Sequence, residues 1–563
     1  MDHIPVRRCP GRHLTSIALL PLDDRPVNYD QPWWLGRAAG IDVRRPAREW
    51  LGNPFRAAQR ERLADWLLDE GRAADGLVVA IDTLAYGGLI PSRQSAAPLA
   101  EIVGSLEPLR ALRASRPEVP ILACSILMRV SRSNSAEEEK PYWASHGADM
   151  FRLSYLDDKI GAGEADPDEI AELRTLSGVV PADLVADYRG GRERNHAVNR
   201  LMLDWLTEGV IDYALIAQDD TAPYGWNIAE ARALRSVIVR GGLADRASVY
   251  PGADEVGSLL IAAFACRRAG LAPRIWPRYS GVDGPTAVTA FEDRPFGELL
   301  KAHLGPLGGV IAATPDEADL IVAINAPAES QAEAWLQLAV RDPERVPPDP
   351  ADSDAGAMRV ARREMDTVRR DVDELARAIA ADVEAGRDVA IVDVAFANGA
   401  DLAFAERLAA RVPLARLAAY GAWNTAGNSL GSALAQAVVR VISRRAERPT
   451  DELAAHLALL VIHWLDDYAY QAIVRSEVLL EDLPALGLAA TWGRLPDEHL
   501  AEVERQVARR LAPHVEALGD KLRADSVPNG SSTCRVVALE IERPTLPWQR
   551  VFEVAVTPSV ELG

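Results

Sequence analysis

The feature that most constrains this chain is a repeated alternation. A short, unbroken apolar run leads into a polar or glycine-rich cluster, and a stretch of helical periodicity follows. The clearest runs are residues 17–22, 77–81, 121–126, 213–217, 320–324 and 389–394, with weaker ones at 41–43, 248–250, 274–276 and 414–419. Helix-period segments such as 54–70, 99–115, 195–208 and 255–269 lie between them. Runs that are apolar throughout fit strands covered on both faces. Strand–helix–strand repeats fold as parallel sheets with right-handed crossovers. We expect an α/β fold built as a (β/α)8-like barrel, with doubly wound parallel sheets as the alternative. In both, the working loops follow the carboxyl ends of the strands.

The C-terminal part reads differently. Residues 352–386 are charged with apolar positions at helical spacing and predict one long, solvated packing helix. Residues 450–524 read as almost wholly helical, and strands are expected at 534–541 and 551–556, separated by ERPTLPWQR. The expected organisation is a flexible N-terminus (1–16), an α/β catalytic domain (17–440) and a mostly helical C-terminal domain (441–563) with a small terminal β element.

Charge and cysteine content narrow the partners. The 563 residues carry 62 Lys plus Arg against 82 Asp plus Glu, a formal net charge of −20. Non-specific nucleic-acid binding requires basic stripes that neutralise phosphates, so no nucleic-acid partner is expected. The four cysteines (Cys9, Cys124, Cys266, Cys534) form no CxxC pair or zinc-type cluster. Cys124 and Cys266 lie in apolar runs and read as inert core thiols in a reducing compartment. The first residues lack a signal-type apolar region, and no window reaches the roughly 18 apolar residues of a membrane span. A cytoplasmic protein that engages no membrane is expected, with homo-oligomer formation left open.

Six segments could carry chemistry. In LLPLDDRPVNYDQP (19–32) a strand ends in Asp23, Asp24 and Arg25, with Asn28 following, and Pro26 bars continuation of a ladder. Either this is a strand-end turn with a local ion pair, or the acids and Arg25 bind substrate at the mouth of a site. In VVAIDTLAYGGLIPSR (78–93), Asp82 ends a strand, Tyr86 and Arg93 flank it, and Gly87–Gly88 permits close backbone approach. ILACSILMRVSRSN (121–134) places Arg129 after a strand. If Arg25, Arg93 and Arg129 face one cleft, an anionic or polyhydroxylated ligand is implied.

DYALIAQDDTAPYGWN (212–227) is the strongest segment, delivering Gln218, Asp219 and Asp220 into a turn, with Tyr224 beyond. Adjacent carboxylates push one pKa up and the other down, which supplies an acid and a lasting anion. Consecutive strand side chains point to opposite faces, so the pair can converge only if the chain bends there. The competing role is capping the next helix. In VYPGADEVGS (249–258), Asp254 follows a strand and reads as functional, whereas Glu255 suits a helical first turn. In AAYGAWNTAGNSLGSALAQA (418–437), Trp423, Asn424 and Asn428 read as ligand contacts, and Gly431 as a tight helix contact.

His146, His196 and His463 are isolated, so zinc is disfavoured. A carboxylate-bound Mg2+ or Mn2+ on Asp23, Asp82 and Asp219 stays open, although no cofactor is expected. No GxSxG elbow, Walker A loop or GxGxxG fingerprint occurs.

PLDDRPVN, DTLAYGGLIPSR, QDDTAPYG, YPGADEVG and WNTAGNSLG, with PWQRVFE near the C-terminus, together resemble the bacterial domain of unknown function family 4127 across nearly the whole chain. The family brings no established activity. LIAQDDT alone resembles the strand-end Asp-Asp pair of O-GlcNAcase-like retaining hexosaminidases. That resemblance implies that Asp219 polarises a substrate acetamido group and Asp220 is the general acid/base. The expectation is therefore a glycosidase-like hydrolase acting on a small amino sugar or related carbohydrate. Asp23, Arg25, Asp82 and Asn424 would bind hydroxyls, with Tyr224 and Trp423 stacking. The alternatives are a carboxylate-metal hydrolase or phosphoryl-transfer enzyme, and a non-catalytic small-molecule binder.

Overall fold

The computed structural model describes residues 15–342, 355–446, 450–489, 492–529 and 532–563. Most of the expected N-terminal segment, including Cys9, lies outside these. Six strands, β1 (Thr15–Leu20), β2 (Ile41–Arg44), β3 (Gly76–Ala80), β4 (Ile121–Leu127), β5 (Tyr213–Gln218) and β6 (Ala247–Pro251), form a parallel sheet in the order β2-β1-β3-β4-β5-β6. Its register pairs Leu19 with Val78, Val78 with Leu122 and Cys124 with Leu215.

Further along the chain come β7 (Arg274–Tyr279), β8 (Val310–Ile311), β9 (Leu320–Asn325), β10 (Ala332–Glu333), β11 (Val389–Asp393), β12 (Phe396–Ala397) and β13 (Ala419–Gly421). Five of them make a second parallel sheet ordered β13-β11-β9-β7-β8, and β10 pairs with β12 separately. Every expected run coincides with a strand except 414–419. There residues 414–416 form a helical turn and pairing begins at Ala419.

No described residues form a closed sheet, so the barrel expectation gives way to the alternative of doubly wound parallel sheets. The first sheet buries Leu19, Val78, Leu122, Cys124 and Leu215 on one face and Ala18, Leu20, Val79, Ala123 and Ile216 on the other. Helices Val256–Ala269 and Ala426–Arg445 lie between the two sheets, in a core shared with Val322, Ile324, Ala390 and Val392 of the second. Helix Ala426–Arg445 is buried from Ala426 to Ser443, as a helix sandwiched on all sides must be. The Thr425 side chain accepts from the Asn428 N–H and caps it. Helices Arg60–Gly71 and Ala182–Glu208 cover the first sheet's outer face, and Val372–Glu384, Leu402–Arg411 and Thr450–His463 cover the second's.

Other expectations shift. The long helix at 352–386 is two helices, Ala355–Met365 and Val372–Glu384, interrupted where buried Arg370 turns in to bond Asn325 and Asp401. The expected domain break at 440/441 falls inside a buried helix. β16 (Val536–Ile541) is paired by β17 (Pro558–Leu562), after β14 (Val527–Asn529) and β15 (Ser532–Cys534) pair with each other. Residues 551–556 are not a strand. Their valines are buried, while Arg550, Phe552 and Glu553 turn toward the site described next. No described helix is long and apolar enough to cross a membrane.

A Cβ at Gly427 would lie 2.4 Å from the Pro251 carbonyl oxygen, where only backbone could yield. Gly427→Ala is expected to cost about 1–3 kcal/mol, in line with overpacking, measured by urea denaturation. An unchanged midpoint would mean the two sheets are not held as closely as described.

Candidate active site

Loops at the carboxyl ends of both sheets enclose one cavity of about 870 Å³. This is the edge where doubly wound proteins bind ligands. Its charged lining includes Arg25, Arg93, Arg129, Asp219, Asp220 and Asp254, contributed by segments following β1, β3, β4, β5 and β6. Gln218, Asn424 and Asn428 also face it.

The buried charges alternate in sign. Arg25 Nη2 donates to Asp23 Oδ2 at 2.7 Å, while Nη1 reaches Asp254 Oδ2 at 3.2 Å and Nη2 also bonds Asp254 Oδ1. Asn28 Nδ2 bridges Asp23 at 3.0 Å and Asp254 at 3.2 Å. Arg93 donates to Asp219 Oδ2 at 2.5 Å and to Glu138 Oε2 at 3.0 Å. Arg129 contacts Asp220, Glu138 and Glu139, each at 3.0 Å. Arg550 closes the series on Glu138 Oε1 at 2.5 Å. The three arginines expected to share a cleft do so, but each is already engaged by carboxylates.

The carboxyl groups differ accordingly. Burial works to raise Glu138, but Arg550, Arg129 and Arg93 hold it well below the ordinary range. Burial pushes Asp220 up, against Arg129 and with Asp219 adding to it. Asp254 is likewise raised by burial against the pull of Arg25. Glu553, facing the same Arg25, is pushed up to about 7 by burial. Asp220 adopts φ +33°, a left-handed conformation rare for non-glycine residues. This is the bend that two consecutive carboxylates need in order to reach one cavity. Asn424 is similar at φ +63°, and its Nδ2 donates to Asp254 at 3.2 Å. Asn428 Oδ1 accepts from the Ala253 and Asp254 N–H groups at 3.1 and 3.0 Å, tying the two sheets' loops together.

Several expected ligand contacts are not on the cavity wall. Asp82 starts the short helix Ile81–Ala85 and accepts from the Ile126 N–H at 2.8 Å. Burial pushes it up to about 7. Tyr86 is buried with the Arg194 guanidinium 5.4 Å from its ring centroid. Tyr224 points outward and donates to Glu164 at 2.5 Å. Trp423 is buried with its ring edge toward Phe552. Asp23 and Asn28 act behind the wall by holding Arg25 and Asp254. Asp24 accepts from Trp548 Nε1 at 2.7 Å.

Residues unassigned from sequence complete the cavity: Arg132, Glu138, Trp492, Trp548, Arg550 and Phe552. The Trp548 ring centroid lies 4.6 Å from the guanidinium carbons of both Arg25 and Arg550. Glu138 lies in the charged run AEEEK (136–140), which carries no motif, whereas Trp548, Arg550 and Phe552 lie in PWQRVFE, where the family resemblance was the available signal. Among the described residues, no three His, Cys, Asp or Glu groups are arranged to hold a metal ion.

Fold and cavity together define a two-sheet α/β protein with an arginine–carboxylate pocket at the joint loop edge. The chain belongs to the family described as protein of unknown function (DUF4127), whose model matches residues 17–557. No curated protein and no solved structure matches it.

Glu138→Gln leaves three arginines short of a shared partner and is expected to cost about 3–5 kcal/mol at neutral pH, the usual penalty for breaking a buried pair. Because the folded pKa of Glu138 is depressed, its contribution is complete above the unfolded value of about 4.3. It drains away as pH falls through the folded pKa. Urea denaturation from neutral to acid pH should show the variant losing less further stability than the parent below about pH 4.3. Parallel curves would remove Glu138 from this role.

Proposed function

We propose that the protein is a glycosidase-like enzyme that hydrolyses a small amino-sugar glycoside by carboxylate acid/base catalysis. The carrying observation is that Asp219 and Asp220 reach the same cavity through a backbone bend and meet unlike surroundings there. Asp220, whose pKa burial raises against the pull of Arg129, is the group suited to act as proton donor. It would donate that proton to the glycosidic oxygen as the aglycone departs, then take one from the incoming water. Asp219, against the Arg93 guanidinium, serves as the fixed anion that stabilises positive charge developing on the cyclised acetamido group.

Away from the charged groups, the wall fits the ring of a sugar. Asn398, Asn424 and Thr425 line it with groups that bind hydroxyls without titrating. Trp548, Trp492 and Phe552 supply apolar faces, taking the stacking role expected of Tyr224 and Trp423. Arg25 and Asp254, being paired, orient rather than react.

Asp220→Asn is expected to lower kcat on an activated chromogenic glycoside by about 10²–10⁴-fold, the typical worth of a general acid/base. The general acid must be protonated, so kcat/KM should fall as pH rises through its pKa. That limb should lie above the ordinary aspartate range and be missing from the variant. Full activity in Asp220→Asn, or no turnover by the parent across both anomers of an N-acetylamino-sugar panel, would remove this reading.

A further inference from the structure

Of the arginines that line the cavity, Arg25, Arg93, Arg129 and Arg550 each make an ion pair with at least one carboxylate. Among the described residues, Arg132 makes none. Its one hydrogen bond runs from Nη2 to the Thr221 carbonyl at 3.0 Å. Asp220 influences it through space, but Asp220 is directly engaged by Arg129. The guanidinium is seated between aromatic rings, with Phe151 and Phe291 centroids 5.3 and 5.5 Å from its central carbon. The side chain is exposed at the cavity mouth, and among the described residues no carboxylate forms an ion pair with it.

Loop 131–135, reading SRSNS, lines the cavity with Ser131, Ser133, Asn134 and Ser135 and contains no acidic side chain. The Ser131 and Ser133 hydroxyls lie 3.3 Å apart. A side chamber of about 210 Å³ opens here, and Ser131, Arg132, Ser133, Asp220 and Phe291 line both it and the main cavity. That is room for a phosphate or carboxylate beside the proposed acid. Asp220, which also lines this chamber, is held by the Arg129 guanidinium at 3.0 Å.

We propose that Arg132 and the 131–135 hydroxyls form an oxyanion subsite, so that the substrate carries a phosphate or carboxylate substituent. This rests on the glycosidase reading for the identity of the rest of the ligand. The subsite binds without covalent change. Arg132 presents its free N–H edge to the oxyanion, and the serine hydroxyls donate alongside it.

Calorimetry on the full chain separates the possibilities, with N-acetylglucosamine, its 6-phosphate and its 6-carboxylate (the corresponding uronic acid) as probes. At least one anionic sugar should bind 10-fold or more tightly than the neutral sugar. Arg132→Gln should erase that preference, and Arg132→Lys should keep part of it. The phosphate and carboxylate arms show which oxyanion the loop fits. Equal binding of neutral and anionic sugars, or a preference that survives Arg132→Gln, would overturn the subsite. Arg132-dependent binding without turnover of any matching glycoside would leave the subsite standing and remove the glycosidase reading. Turnover with no anion preference would do the reverse.

Discussion

Ten or so charged side chains are taken out of water at one edge of this molecule, and that edge exists only because their signs alternate. Arg25 lies among Asp23, Asp254 and Glu553, Arg93 between Asp219 and Glu138, and Arg129 between Asp220 and Glu139. The partners are remote in sequence: Arg93 and Asp219 are 126 residues apart, Arg25 and Asp254 229, and Arg550 and Glu138 412. Removing one member leaves a buried charge uncompensated, which costs far more than the intact pair contributes. The lattice is therefore weak as a source of stability and strong as a constraint on geometry. It fixes where the loops of the first sheet and a C-terminal segment must stand.

The same constraint divides the cavity by function. Where an arginine is shared by two or three carboxylates, its hydrogen-bonding capacity is largely spent inside the protein, and the wall is stiff. Where a carboxylate is buried with less compensation, as at Asp220 and Asp254, the proton is held more tightly. A rigid frame and carboxyl groups with raised pKa values thus come from one set of residue types, as the ratio of arginine to carboxylate varies from place to place.

How much of this could be read in the chain follows from how local each cause is. Strands buried on both faces announce themselves as continuous apolar runs, so β1, β3, β4, β5, β9 and β11 were legible. Closure was not, because local pattern is the same in a barrel and in open sheets, and pairing partners are chosen across hundreds of residues. Strand-end acids were legible as a class, but not their direction. Asp82 and Asp219 look alike in sequence. Yet Asp82 enters a helical turn that aims it at the Ile126 N–H, whereas Asp219 precedes a left-handed residue that holds the chain open to the cavity. Trp548, Arg550 and Glu138 were missed because the contacts that join the C-terminal segment to the site, Trp548 to Asp24 and Arg550 to Glu138, span more than four hundred residues.

Two open sheets, in place of one barrel, also explain why the pocket depends on apolar packing far from it. The middle helices Val256–Ala269 and Ala426–Arg445 begin directly after the loops carrying Asp254 and Asn424, one from each sheet. Gly427 sits against the Pro251 carbonyl, and Gly431 makes room for the Glu255 side chain, so a larger residue at either position would collide with the loop after β6. Only at that separation can Asn424 reach Asp254 and Asn428 grip the two N–H groups before it. A methyl group placed there would push the two halves of the cavity apart, and the Asn424 and Asn428 contacts that join them would lose their geometry. The chemistry of this edge is thus set by van der Waals contact in the layer beneath it.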